Sequence, residues 1–284
     1  MNTFQAIIIA IVEGITEYLP VSSTGHMIIT SSLMGIAKDD FTKLFTIAIQ
    51  FGAILSVIVL YRKKFLEGFQ NKEFYFKILV AFLPALVIGK LLDDYIDALL
   101  ENVITVAVSL LVGGIIFLLL NKWINNEKVV KTAENLSEER KAEKGKNIRK
   151  EEVTYLDALK VGLFQLIALI PGVSRSAATI LGGLSQHLSR KTAAEFSFFL
   201  AVPTMFAATV YKLFKFLKNH AITSQEINLL IIGNFVAFMV ALIAIRTFLT
   251  YITKYGFKVF GYYRIIVGLL ILVLYFFNVP LIIN

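Results

Sequence analysis

The feature that most limits what this chain can fold into is its apolar segmentation. Six stretches, at roughly 44–61, 75–92, 103–121, 192–211, 227–245 and 259–277, are apolar and uninterrupted enough to cross a bilayer, which takes about 20 residues. Two more apolar stretches, 2–35 and 155–186, are broken in the middle by Pro20-Val-Ser-Ser-Thr-Gly and Pro171-Gly-Val-Ser. Each is too interrupted for one straight span and too short for two. Re-entrant helix-turn-helix hairpins satisfy both limits, because irregular backbone is tolerated at membrane depth where it is buried in protein or lines a cavity. The expectation is an all-α polytopic membrane protein with about six transmembrane helices and two re-entrant hairpins, and a kinked ordinary span is the simpler alternative for each hairpin. Pro84 leaves the ends of the 75–92 span open.

Composition agrees. The 284 residues are 57% hydrophobic and 17% charged, against about 25% charged in a soluble domain. The net charge of +8 is gathered in loops between apolar spans, a topology signal rather than a nucleic-acid footprint. With no cysteine, the chain has no disulfide, thiolate metal site or cysteine nucleophile. The N-terminal stretch lacks a basic region and a small-residue cleavage site, so it reads as retained structure and not a signal peptide.

Charge also orients the chain. The 62–77 loop carries Arg62, Lys63, Lys64, Lys72 and Lys77 against two acids, and the 93–102 loop carries Asp93, Asp94, Asp97 and Glu101 with no base. Positive-inside logic places 62–77, 123–152, 187–191 and 246–258 in the cytoplasm and both termini outside, with Lys212, Lys215 and Lys218 as exceptions on the outer side. The interleaved Glu and Lys of 123–152 read as a solvated loop.

A shift of 151 residues aligns Pro20 with Pro171, Ser23 with Ser174, Phe45 with Phe196 and Lys64 with Lys215. One offset thus joins both broken segments and the spans after them. The single membrane domain 1–284 then divides into a first repeat (1–122), a charged cytoplasmic loop (123–152) and a second repeat (153–284). Three crossings per half make the second half inverted, an architecture that brings midplane sites together at the repeat interface.

The two breaks carry the chemistry. Glu13 and Glu17 are one helical turn apart, with Cβ atoms about 6 Å from each other. Two carboxylates so close in a poorly hydrated site do not both ionise cheaply: one holds a proton, or a divalent cation neutralises the pair. Both options suit hydrolysis, and two acids facing a vestibule are the bland alternative. His26 follows Ser23 by three residues; beside two acids and two serines it reads as catalytic rather than as a satisfied buried histidine. His187 and His220 lie in loops and read as surface residues. Ser174-Arg175-Ser176 follows Pro171-Gly172 at an expected helix start, where free N–H groups, the helix dipole and a guanidinium make an anion cradle. Arg175 as a snorkelling anchor is the alternative, but no polar loop adjoins it. Acids, an imidazole, hydroxyls and an arginine together indicate hydrolysis of a phosphoester or phosphoanhydride, and no nucleotide-binding or His-Glu-x-x-His motif is present.

These residues resemble a known family. Glu13-Gly-Ile-Thr-Glu17-Tyr-Leu-Pro-Val-Ser-Ser-Thr-Gly-His26 and Pro171-Gly-Val-Ser-Arg-Ser-Ala-Ala-Thr179 are similar to the two signature motifs of the bacterial undecaprenyl-diphosphate phosphatases, the BacA or bacitracin-resistance family. The likeness extends to Thr46-Ile-Ala-Ile-Gln50-Phe-Gly and Glu195-Phe-Ser-Phe-Phe-Leu-Ala-Val-Pro203. It implies a multi-pass enzyme of the bacterial inner membrane, with inverted repeats, that removes the terminal phosphate of undecaprenyl diphosphate to give the lipid carrier for cell-wall synthesis. Carried over, the catalytic candidates are Glu13, Glu17, Ser23, His26 and Arg175. Ser22, Thr24, Gln50, Ser174, Ser176 and Thr179 are the substrate-binding candidates. Glu13 and Glu17 are expected to hold Mg²⁺ or Ca²⁺, or to manage protons. The attacking group stays open between Ser23, His26 and a metal-activated water. Expected partners are the isoprenoid diphosphate, membrane lipid and a second copy in a homodimer, with no nucleic acid, and the site opens to the external face. Two rivals remain. A phosphatidic-acid-phosphatase type needs a second histidine shortly after the arginine and a nearby aspartate, and no such pair follows Arg175, whereas an inverted-repeat transporter or lipid flippase would use the same midplane Glu and Arg.

Overall fold

The computed structural model describes residues 1–70, 72–92, 95, 102–129, 149–218, 220–277 and 281, without the side chains of 69, 70 and 121–129. The acidic cluster Asp93, Asp94, Asp97 and Glu101 and most of the charged 123–152 segment lie outside the described residues. The fold is all-α. Its helices are α1 (Thr3–Thr16), α2 (Ser23–Leu33), α3 (Asp40–Ala48), α4 (Gln50–Leu60), α5 (Arg62–Gln70), α6 (Glu73–Leu91), α7 (Val103–Val129), α8 (Tyr155–Gln165), α9 (Arg175–Ser185), α10 (Arg190–Leu217), α11 (Ser224–Tyr255) and α12 (Lys258–Phe276). Six are long and apolar enough to cross a membrane: Asp40–Leu60 (α3 with α4), Glu73–Leu91, Val103–Leu120, Arg190–Leu217, Ser224–Tyr255 and Lys258–Phe276. The chain is a multi-pass membrane protein.

Both interrupted stretches are helix pairs. Thr16 and Ser23 end and restart the first, and a 3₁₀ turn at Leu166–Leu169 follows α8 in the second. Pro20 and Pro171 fall in these breaks, where a missing N–H and a fixed φ are tolerated. Ser22 and Ser174 cap α2 and α9 with φ of 69° and 75°, an uncommon conformation for a residue with a side chain. The entry to each pair is closed by a capping box, Asn2 with Gln5 and Thr154 with Asp157. Pro84 sits inside a continuous α6. The 44–61 span is less regular than its composition predicts: it starts at Asp40 and is interrupted at Ile49, between α3 and α4.

Glycines let the hairpins approach the spans closely. α1 packs on α11, where a Cβ on Gly14 would meet the Ala237 carbonyl oxygen at 2.9 Å, and α8 packs on α6, where Gly162 lies against the Ala81 backbone. α4 packs on α10 and α11, and α7 on α12. The partners are therefore reciprocal: the hairpin of each half rests on a span of the other. Three candidate spans separate the hairpins along the chain, and the two hairpins meet at their breaks.

The landmarks do not keep one offset. Asn2 and Thr154, Ser22 and Ser174, and the first residues of α2 and α9 are each 152 positions apart, while the caps Asp39 and Ser189 of α3 and α10 are 150 apart. The ungapped shift of 151 runs between these values, so it pairs Pro20 with Pro171 and Ser23 with Ser174 one position out of structural register. Side-chain identity follows the chemistry of each turn, whereas the caps follow backbone geometry.

Candidate active site

The junction of the two breaks is built around Glu17. Its carboxylate is buried and takes two donors from different hairpins: Arg175 Nη2 donates to Oε1 at 2.9 Å, and Ser23 Oγ donates to Oε2 at 2.6 Å. Ser23 and Arg175 are the first residues of α2 and α9, so both helix N-termini point their first side chains at one carboxylate. The guanidinium is held further by the Ser197 carbonyl at 3.1 Å and Met205 Sδ at 3.3 Å, and it lies over the Tyr18 ring at 5.6 Å. Tyr18 itself is fully buried and donates to the Ala53 carbonyl at 2.8 Å.

Glu13 sits one turn before Glu17, 0% exposed, and neither of its carboxylate oxygens has a hydrogen-bond partner. A buried carboxylate left so exposes a need for a proton or a cation. Among the described residues no cluster of three or more His, Cys, Asp or Glu could hold a metal ion. A cation here would have two carboxylates and take its remaining ligands from phosphate or water, which is how Mg²⁺ is commonly bound. The two unpartnered oxygens of Glu13 fit that role. Glu17 fits it less directly, since both its oxygens already have donors.

The hydroxyls divide into two groups. Ser22, Ser176 and Thr179, expected to bind substrate, are buried and spent on the fold. Ser22 caps α2 through the Gly25 N–H, Ser176 donates to the Leu19 carbonyl at 2.9 Å, and Thr179 donates to the Arg175 carbonyl at 2.8 Å while meeting Ser197 Oγ at 2.6 Å. Ser176 thus ties one break to the other. Ser174 caps α9 and meets Ser176 Oγ at 3.0 Å. Thr24 is half-buried in the first turn of α2, and Gln50 is half-buried where α4 restarts after the Ile49 break.

His26 is not joined to the Glu17 cluster by any hydrogen bond among the described residues. Its Nδ1 lies 2.7 Å from the Ser22 carbonyl, which can only accept, so Nδ1 carries the proton. Nε2 is then the acceptor for the Tyr263 hydroxyl, 2.6 Å away. Tyr263 was not among the sequence candidates, and neither was its neighbour Arg264. Arg264 is fully buried and donates to three carbonyls, those of Pro20, Ser109 and Gly172, each at 3.1 Å. An ionisable residue inside an apolar span is itself a signal; Arg264 lies within the 259–277 stretch and would have been found by the rule that found Glu13 and Arg175.

Comparison with known proteins gives one consistent result. The family model described as bacitracin resistance protein BacA matches residues 6–270. Similar proteins named undecaprenyl-diphosphatase come from Flavobacterium johnsoniae (60% identical over 282 residues, 99% of each chain) and Bdellovibrio bacteriovorus (51% over 274 residues, 96% of each). A third, from Aquifex aeolicus, is 43% identical over 270 residues, covering 95% of this chain and 97% of the relative.

Proposed function

The chain belongs to the bacitracin resistance protein BacA family, and we infer that it hydrolyses undecaprenyl diphosphate to undecaprenyl phosphate and inorganic phosphate. It is a membrane-embedded phosphatase, and its activity supplies the lipid carrier for cell-wall synthesis and resistance to bacitracin. The observation that carries the local reading is Glu17, which receives a hydroxyl from one hairpin and a guanidinium from the other.

Arg175, Ser23 and Glu17 divide the work on the phosphates. The Arg175 fork matches a phosphate that offers two oxygens, and the α9 N-terminus adds its dipole. When the terminal phosphate takes the guanidinium, Glu17 loses its counter-charge and is left beside the Ser23 hydroxyl. Ser23 Oγ then attacks the terminal phosphorus and its proton passes to Glu17. The Oγ–P bond forms as the bond from that phosphorus to the bridging oxygen breaks, and undecaprenyl phosphate leaves. Water hydrolyses the phosphoserine, returning the hydroxyl and releasing phosphate. Glu13, with Glu17 beside it, would hold a divalent cation, which would supply Lewis-acid assistance by neutralising phosphate charge. His26, with both ring nitrogens engaged, supports the start of α2 in this geometry rather than the attack.

Wider features belong to the same proposal. The two halves form an inverted repeat, supported by paired capping boxes, paired strained serines and reciprocal packing. The enzyme sits in the bacterial inner membrane with the site open to the external face, supported by the basic loops on the opposite side. Association as a homodimer is read by light scattering of the detergent complex.

The test is phosphate release from undecaprenyl diphosphate by purified protein in detergent, with and without EDTA, beside Glu17→Ala. Release that vanishes in the variant supports the site, and loss in EDTA restored by Mg²⁺ or Ca²⁺ supports the cation. A folded, cation-supplied wild type that releases no phosphate would overturn the phosphatase reading in favour of a transporter.

A further inference from the structure

Arg264 on α12 is 0% exposed, and its partners are carbonyl oxygens alone. No carboxylate pairs with it among the described residues, so a full charge is buried for the sake of backbone contacts. Room is made for it: a Cβ at Gly113 of α7 would overlap the guanidinium. Two of the three carbonyls are placed alike. Pro20 and Gly172 each lie two residues before a serine cap, Ser22 and Ser174, with positive φ. Strained backbone of that kind persists only where its surroundings over-determine it.

We propose that Arg264 is a positioning residue that fastens the two hairpin turns to one another, so that Ser23 and Arg175 reach Glu17 together; the proposal rests on the phosphatase reading of that site. One planar guanidinium bonds both turns and α7 at once. A point charge on a flexible stem does not replace it, because the donors must diverge in a fixed plane. Ser176 to the Leu19 carbonyl and Arg175 to Glu17 cross the same junction. A slip of one turn against the other would therefore separate the reacting groups without unfolding either hairpin.

The experiment compares full-length wild type, Arg264→Lys and Arg264→Met in detergent. Hydrogen exchange is followed in peptides covering 17–25 and 169–177, with peptides from α11 as the reference, and kcat and KM are measured for undecaprenyl diphosphate. Arg264→Lys is expected to speed exchange in both turn peptides about tenfold or more and leave α11 unchanged. Its kcat should fall about 100-fold with KM within about threefold, as misplacement of reacting groups by about 1 Å predicts. If Arg264→Met does not fold, Arg264→Lys carries the test. A kcat within about twofold of wild type, exchange that quickens in one turn only, or exchange that quickens equally in α11 would overturn the proposal. If wild type is inactive the phosphatase reading fails, and the exchange comparison still decides whether Arg264 holds the turns.

Discussion

Breaking the Glu17–Arg175 pair from one side or from both should affect stability and catalysis in different ways. The two charges are 2.9 Å apart with side chains only 7% and 12% exposed. At that separation and an effective dielectric of about 20, Coulomb's law gives an attraction of about 6 kcal/mol, which desolvation of both ions largely offsets. Removing one partner is different, because the other charge stays buried alone, typically at about 3–5 kcal/mol. Arg175→Met should sit in that range, since it leaves Glu17 one turn from the unpartnered Glu13 with only Ser23 as donor. Glu17→Gln should cost about 2–3 kcal/mol, because Arg175 keeps the Ser197 carbonyl and Met205. The double variant should lose less than the two singles together, by about 2 kcal/mol or more. Equilibrium unfolding in mixed micelles measures all four corners of this cycle. Phosphate release should show no such recovery: each single and the double lose about 10³-fold or more, and Arg175→Lys fails with them because it lacks the fork. Losses that add to within about 0.5 kcal/mol would refute the coupling, and a double variant that regains turnover would refute Arg175 as the phosphate ligand.

Three further outcomes follow from single positions. Ser23→Ala should lower kcat about 10³-fold and abolish any acid-stable phosphoenzyme in quenched reactions, while a variant that still accumulates one would exclude Ser23 as nucleophile. Gly172→Ala should cost about 2 kcal/mol or more in thermal unfolding, because its φ is +88° and a Cβ would meet the Val106 carbonyl oxygen at 2.5 Å. Asp157, in the first turn of α8 and outside the six spans, is opposed in ionising by burial, but bonds from Thr154 and Lys150 prevail and hold its carboxyl below the usual range. A depressed folded value means its stabilisation is complete above the unfolded value near pH 4 and is lost as pH falls through and below that point. The gap in melting temperature between wild type and Asp157→Asn should thus be widest near neutral pH and close in acid.

Much of this was legible in the sequence because the signals were long. Six spans emerge from runs of about 20 apolar residues that few other structures can bury, and the two hairpins from Pro-centred polar breaks that no straight span accommodates. Glu13, Glu17 and Arg175 stood out by the expense of charge at depth. What was hidden has a common cause. Ser176 and Thr179 look like phosphate donors by type, but in the folded chain backbone carbonyls have already claimed their hydroxyls. The break at Ile49 leaves no mark in composition, because Ile49 and Gln50 are compatible with a continuous helix; the tight approach of Gly52 to the Asn234 backbone is a tertiary effect. Arg264 is marked in the sequence only as one cation within an apolar span, while its three carbonyl partners come from residues 20, 109 and 172, far away along the chain.

At a spacing of 152 the two halves place different chemistry on one frame. Ser23 and Arg175 occupy the same first position of α2 and α9, and both bond Glu17. Glu13 corresponds to Gln165; each is almost fully buried, and each has side-chain atoms without a partner. Glu17 corresponds to Leu169, at the end of the 3₁₀ turn. A symmetric pair of acidic hairpins would bring four carboxylates to one buried junction, a repulsion that nothing nearby would balance. A symmetric pair of arginine hairpins would bind phosphate but offer no hydroxyl to attack and no base to receive its proton. Division of labour avoids both failures: the first hairpin keeps the acids and the hydroxyl, and the second keeps the guanidinium and replaces an acid by an amide. Gln165→Glu is therefore the informative exchange. It restores the first half's chemistry in the second and should lower both stability and turnover through a third carboxylate near the junction. Turnover equal to wild type would show that Gln165 lies outside the electrostatic reach of the site.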